Sequence, residues 1–298
     1  MEERVAAGGP SAIAVGIGCG VGAAVFWAAG FVAARHGIAI GLSPADMALH
    51  RYVWAGLALL PFVPASGLPE LRAVGVTRAI ILTLLGGPLL AMTSYAGFLF
   101  VPLGHGAVIQ PSSAALIGLL LATVVLKEPL SAARATGALI IVAGLCVIGG
   151  EAITTIGTHG LFGDLMFVAT GTSWATFGML LRLWQITAIR SVAIVSVLAL
   201  IEIPIHAWLF GFDHMIAAGV WENLLQAVVQ GIFAGPGAIY LFTHSVGLLG
   251  AGRAAVFPSL VPGMTLLVGF VVLGEVPSLL QILGFAIVLV GFRMTQRS

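Results

Sequence analysis

The chain has 298 residues, of which 60% are hydrophobic and 8% charged, with a mean hydropathy of +1.14. Soluble domains carry about 25% charged residues, because a folded surface must stay wet; a soluble globular fold is excluded and an all-α membrane protein is indicated. The formal net charge of +1, from 12 basic and 11 acidic residues, leaves no cationic surface for nucleic acid.

A helix needs about 20 mostly apolar residues to cross a hydrocarbon core roughly 30 Å thick. Runs of that kind are predicted near 12–34, 44–65, 76–100, 105–126, 131–150, 160–181, 188–210, 223–246, 252–273 and 277–294, which makes ten transmembrane helices. The first run is too long for a signal peptide, and its leader, Glu2-Glu3-Arg4, is not cationic. Gly16, Gly18, Gly20 and Gly22 alternate within it; no strand precedes them, so they are not a dinucleotide loop, and Gly18 and Gly22 fit a close helix contact. Cys19 and Cys146 lie in separate apolar runs without metal-ligand spacing, as do the histidines, so neither a disulfide nor a metal site is expected. The connections are short, and no Ser/His/Asp arrangement or phosphate loop is present, so neither an enzyme nor a cofactor is expected. With the N-terminus in the cytoplasm, Arg4, Arg72, Arg78, Lys127, Arg134, Arg182, Arg190, Arg253, Arg293 and Arg297 fall inside and only Arg35 and Arg51 outside. The positive-inside rule therefore predicts cytoplasmic termini and a multi-pass protein of the cell membrane.

A shift of 147 residues places Leu126 and Glu128 on Leu273 and Glu275, Pro111-Ser112 on Pro258-Ser259, and Gly137 and Gly144 on Gly284 and Gly291. Trp27 falls on Trp174 and Arg35 on Arg182 in the same register. The chain therefore reads as two five-helix repeats, residues 12–150 and 160–294. Five is odd, so the second copy enters the membrane from the other side. The charges agree: Lys127 and Arg134 flank Glu128, whereas Gly274 and Gln281 hold the matching positions around Glu275. Inverted repeats of this kind are a transporter architecture, with the substrate near the midplane between the halves.

The run Phe26 to Arg35 resembles the first helix of the EamA type within the drug/metabolite transporter superfamily. Ala48-Leu49-His50-Arg51-Tyr52 resembles the start of that family's second helix, and Pro111 through Glu128-Pro129 to Gly144 its fourth and fifth. Pro258 to Gly291 repeats the pattern, with Pro277 one residue late. The resemblance implies that helices one to four and six to nine surround a central cavity. It would set Trp27 and Trp174 across that cavity, with Tyr95, Gln110, Tyr240 and His244 lining it; the alternative for each tryptophan is a lipid-facing or interfacial anchor.

The residues themselves point to further candidates. Gly86-Gly87-Pro88 and Gly235-Pro236-Gly237 interrupt the third and eighth runs at nearly equivalent places. Proline removes a donor and clashes with the preceding turn, so each is expected to kink its helix and free carbonyls at a cavity, simple helix curvature being the alternative. Pro111 and Pro258 form a second matched pair, near the starts of helices four and nine. Glu202 lies about 18 Å into the seventh run, with His206 one turn on; a Glu–His pair can trade a proton near neutral pH, unless both sit at the outer interface. Asp46, His50 and Arg51 read either as an interfacial ion pair or as a dock for a substrate carboxylate, and Asp164 as solvated. Thr93, Ser94, Thr170, Thr172, Ser173, Thr176, Thr243 and His244 are polar groups in apolar spans, which a scaffold would not need.

The expectation is an alternating-access exporter of small metabolites, amino acids first, working as a monomer or homodimer in the bilayer. A drug efflux pump, a facilitator or a non-transporting scaffold are the rivals.

Overall fold

A computed structural model describes residues 10–62, 74–154, 159–249, 254 and 257–295. It is helical, with no strand among the described residues. The helices are α1 (Pro10–Ala39), α2 (Pro44–Leu59), α3 (Val76–Gly86), α4 (Pro88–Gly97), α5 (Leu103–Val124), α6 (Ala132–Thr154) and α7 (His159–Leu183). Then follow α8 (Ala188–Leu198), α9 (Glu202–Leu209), α10 (Asp213–Gln226), a π-helical stretch Ala227–Gly237, α11 (Ala238–Leu249), α12 (Val261–Leu273) and α13 (Leu279–Thr295). Short 3-10 turns, Ala199–Ile201 and Phe257–Leu260, join α8 to α9 and lead into α12.

Five stretches are long and apolar enough to cross a membrane: Ser11–Ala39, Val76–Gly97, Leu103–Val124, Ala188–Leu209 and Asp213–Leu249. Shorter apolar helices cover Ala132–Val147, Val261–Leu273 and Leu279–Met294. Large apolar side chains such as Trp208, Trp221, Val271 and Leu139 point outward. So broad an apolar exterior needs lipid around it, and the protein is a multi-pass membrane protein. Of the basic residues counted for orientation, Arg4, Arg72, Arg253 and Arg297 lie outside the described residues.

Local chemistry sets several boundaries. Ser43 and Asp46 form a reciprocal capping box ahead of Pro44, satisfying the free N–H groups that open α2. Gly274, at φ +68, ends α12 in a left-handed conformation that glycine tolerates best. The eighth run begins ten residues earlier than its hydropathy indicated, at Asp213. Gly219 kinks α10 at φ +81, and Asn223 Nδ2 closes the kink by donating to the Met215 and Gly219 carbonyls at 2.6 and 2.7 Å.

The repeat is visible as packing. A Cβ on Gly144 would stand 2.8 Å from the Gly284 carbonyl, and one on Gly291 would stand 2.7 Å from the Gly137 carbonyl. These are the same contact seen from the two copies, since the shift carries Gly137 to Gly284 and Gly144 to Gly291. Helices α6 and α13 thus cross backbone to backbone, as small residues permit in membranes. The first helix uses different glycines from those expected. Gly18 has nothing within 4 Å of a modest added carbon and Gly22 meets only Leu241 at 3.2 Å, whereas Gly16 packs under Leu249 and Gly20 under Phe257. Pro111 lies inside α5, eight residues past its first, while Pro258 sits in the 3-10 turn ahead of α12; the matched prolines therefore occupy different places in their helices.

Candidate substrate site

Both predicted interruptions are breaks. At Gly87 the backbone turns to φ −107, ψ −150, separating α3 from α4. A Cβ there would fall 2.2 Å from the Thr83 carbonyl, so the fold needs glycine. Pro88 then opens α4, where a missing N–H is no loss. In the second repeat the interruption is spread over the π-helical stretch, with Gly235 at φ −85, ψ −112 and Pro236 following. Wider turns of this kind often mark functional sites.

The freed carbonyls converge on α2. Tyr52 donates its hydroxyl to the Gly86 carbonyl at 2.6 Å. Its neighbour Arg51 donates through Nη2 to the Ala234 carbonyl at 3.2 Å. Two consecutive side chains of one helix thus reach the breaks of both repeats. Gln230, fully buried, links the surroundings: its Oε1 accepts from Tyr95 at 3.0 Å and from Arg51 Nη1 at 3.4 Å, and its Nε2 donates to the Gly30 carbonyl at 2.7 Å. Irregular backbone at membrane depth is tolerated only where protein or a cavity satisfies it, and here Arg51 and Tyr52 of α2 do so, with Ser173 of α7 at the Leu85 carbonyl. Among the described residues, the Arg51 guanidinium bonds neutral oxygens, with no carboxylate among its hydrogen-bond partners.

Gln230 belongs to a ladder on one helix face, Glu222, Gln226 and Gln230, spaced four apart. Gln226 Nε2 donates to Glu222 at 2.7 Å and to the Ala33 carbonyl at 3.0 Å, and Glu222 lies 3.2 Å from His36. The sequence reading missed this ladder, although the spacing was there to be seen.

Other candidates separate. Ser94 donates to Gln110 at 2.7 Å, joining α4 to α5. Trp27, half-buried, tilts against Phe242 at 5.6 Å, while Trp174 is 42% exposed and stacks on Phe177 at 5.3 Å. Tyr240 and His244 are exposed and stack on each other. Most hydroxyls singled out above bond a carbonyl of their own helix, as Thr93, Thr170, Thr172, Thr176 and Thr243 do. Only Ser94 and Ser173, which donates to the Leu85 carbonyl, bridge helices. The set therefore does not distinguish a carrier from a scaffold.

The acidic groups also differ from expectation. His206 pairs with Asp46 rather than Glu202: Nε2 sits 3.0 Å from Asp46 Oδ1, both side chains are 1% exposed, and the ring is angled away from a regular hydrogen bond. Sequence spacing put His206 above Glu202, but the ring reaches across to α2 instead. Glu202 keeps a buried Oε2 with no hydrogen-bond partner. Asp46, His50 and Arg51 do not form one cluster, because His50 bonds Asn223 and Trp54 while Arg51 turns to the breaks. Asp164 is buried, not solvated, with Oδ1 2.9 Å from His105 Nδ1.

Ion pairs tie the repeats at two further places. Arg35 Nε donates to Glu275 at 2.7 Å, and Arg182 pairs with Glu128.

No curated protein matches the chain significantly. A solved structure described only as a crystal structure of a protein aligns over 95% of this chain and 96% of its own, with 18% identity and a TM-score of 0.64, and so shares the fold. Residues 14–150 and 161–296 each match the EamA-like transporter family, and the chain belongs to that family.

Proposed function

We propose that the protein is an alternating-access carrier that exports a small metabolite bearing a carboxylate, amino acids being the leading class. In this reading the helices make ten passes as two inverted units, with both termini in the cytoplasm of a bacterial-type cell membrane. The observation that carries it is the meeting of both helix breaks on Arg51 and Tyr52. A guanidinium held only by neutral oxygens has a place for an anion, and arginine matches a carboxylate with two parallel bonds. Gln230 and Tyr95 are the neighbouring groups that orient a bound substrate. Trp27, Gln110, Trp174, Tyr240 and His244 remain proposed lining residues of the path. Glu202 is the coupling residue, its proton exchanging during the cycle, and the Asp46–His206 pair above it is the relay to the surface.

The test compares spent medium from cells overproducing the protein with that from cells overproducing Arg51→Leu at equal membrane abundance. Enrichment of a carboxylated metabolite class only with the intact protein supports the reading; no difference across growth conditions removes it. A second reading, export of lipophilic cations, is favoured by the buried Oε2 of Glu202, which has no hydrogen-bond partner. It predicts that Glu202→Gln, rather than Arg51→Leu, abolishes resistance to such compounds.

A further inference from the structure

The two arginine–glutamate pairs between the repeats are copies of each other. The register shift of 147 carries Arg35 to Arg182 and Glu128 to Glu275. The observed pairs are crossed: the arginine of the first repeat holds the glutamate of the second, and the arginine of the second holds the glutamate of the first. Neither pair lies within a repeat, so both must part or bend whenever the repeats move relative to each other.

They stand at opposite ends of the bundle. Leu103, the first residue of α5, donates its N–H to Glu275 at 3.1 Å, and Glu128 follows four residues after the last residue of α5. The 22 residues of α5 therefore separate the two pairs by about 33 Å. The Gly137–Gly291 and Gly144–Gly284 crossings, a close backbone approach of the repeats built from equivalent residues, relate to the same two-fold. Rocking about such a crossing lengthens one pair while it shortens or holds the other.

The pairs suit breakable contacts. Side-chain exposures are 26% and 29% for Arg35 and Glu275, and 59% and 33% for Arg182 and Glu128. Water can replace a lost partner at each, whereas a fully buried pair would strand a charge on opening. They are unequal, however. Arg35 also donates to the Phe98 carbonyl at 2.9 Å and Glu275 accepts from Leu103, so that end stitches α1, α4, α5 and the α12–α13 turn together. Among the described residues, Glu128 is shared only with Arg134, at 3.9 Å.

We infer that Arg35–Glu275 and Arg182–Glu128 are the two gates of the carrier, each parting to open its own end while the other stays closed. The inference rests on the transport reading above. In the unaltered protein the Arg182 end opens more readily, because fewer bonds hold it.

A single buried cysteine between the gates tests this. Cys19 and Cys146 are first replaced by alanine, and Ser94→Cys supplies the reporter. A membrane-impermeant maleimide is applied to right-side-out and to inside-out vesicles. Glu275→Gln is expected to raise labelling through its own end about three- to tenfold, the order for losing a charge-assisted bond, and to lower labelling through the other. Glu128→Gln is expected to do the reverse. Parallel changes on both sides, or none on either, would overturn the gate assignment and leave the pairs as static ties. As a second measure, Arg35→Cys with Glu275→Cys, joined by a short bis-maleimide in a chain without the reporter, is expected to stop transport; transport that continues after complete cross-linking also overturns it. Reciprocal labelling with no exported compound would instead remove the transport reading and leave the gates.

Discussion

The frame of the molecule and its centre obey different rules. The α6–α13 crossing and the two Arg–Glu pairs are built twice from equivalent residues. At the helix breaks equivalence stops: Arg51 corresponds to Leu198, Gln230 to Thr83, Tyr95 to Phe242 and Glu202 to Ala55. Symmetry serves the moving scaffold, since two ends that open alternately need like parts. A binding site needs unlike parts, because a small polar molecule has one charged end to hold, not two related by a two-fold axis. The second-repeat break shows the same divergence: a clean interruption at Gly87 is matched by a π-helical stretch leading to Pro236.

The comparison can be broken at the centre first. Arg51→Leu gives α2 the residue that its symmetry mate carries, and is expected to lower export about ten- to hundredfold, the order for removing a charged hydrogen-bond donor. Stability should fall by about 1–3 kcal/mol as well, because the buried Ala234 carbonyl loses its donor, so export is compared at equal membrane abundance. Gln230→Thr, the matching change on the other repeat, is expected to weaken export severalfold by releasing Arg51 and Tyr95 together.

At the frame the larger effect falls on folding. Gly144→Val or Gly291→Val inserts carbon where a carbonyl already stands within 3 Å, and each is expected to cost about 1–3 kcal/mol, read as a lowered melting temperature. The two variants should behave alike, because their contacts are equivalent; a clear difference between them would show that the crossing is less symmetric than its geometry. Asp46→Asn is expected to destabilise by about 1 kcal/mol through the weakened cap of α2, together with loss of the His206 contact. Gly18→Ala, with open space around it, should be neutral or raise stability by up to about 1 kcal/mol through helix propensity.

The frame was legible in the sequence, because repetition is a property of the string. Glu128 on Glu275 and Gly144 on Gly291 announce both the copies and, through Lys127 and Arg134 against Gly274 and Gln281, their inversion. Crossed pairing of Arg35 with Glu275 was not announced, since register tells which residues are equivalent and not which meet. The centre was legible only in part. Proline and glycine marked the breaks, and Arg51, Tyr95 and Gln230's helix were in view. Yet Gln230 itself, Tyr52 and the Glu222–Gln226 ladder stood out only once α1 and α2 were packed against them. His206 misled for a related reason: spacing along one helix favours Glu202, and a partner on another helix, Asp46, wins when both are buried. Asp164 was read as solvated because a carboxylate near a helix end usually is, but His105 lies across from it.

The glycine crossing of α6 and α13 has a mechanical consequence. With glycine where the two backbones cross, and only the equivalent buried side chains Ile141 and Val288 beside it, the contact is short and stiff and acts as a fulcrum. With the gates about 33 Å apart along α5, a fulcrum midway between them would give each an arm of about 16 Å. A tilt of about 10° there sweeps the far end through about 3 Å, enough to carry a hydrogen bond from its ordinary length to beyond its reach. A lever so short of travel needs no unfolding and little repacking to exchange which side of the membrane it faces.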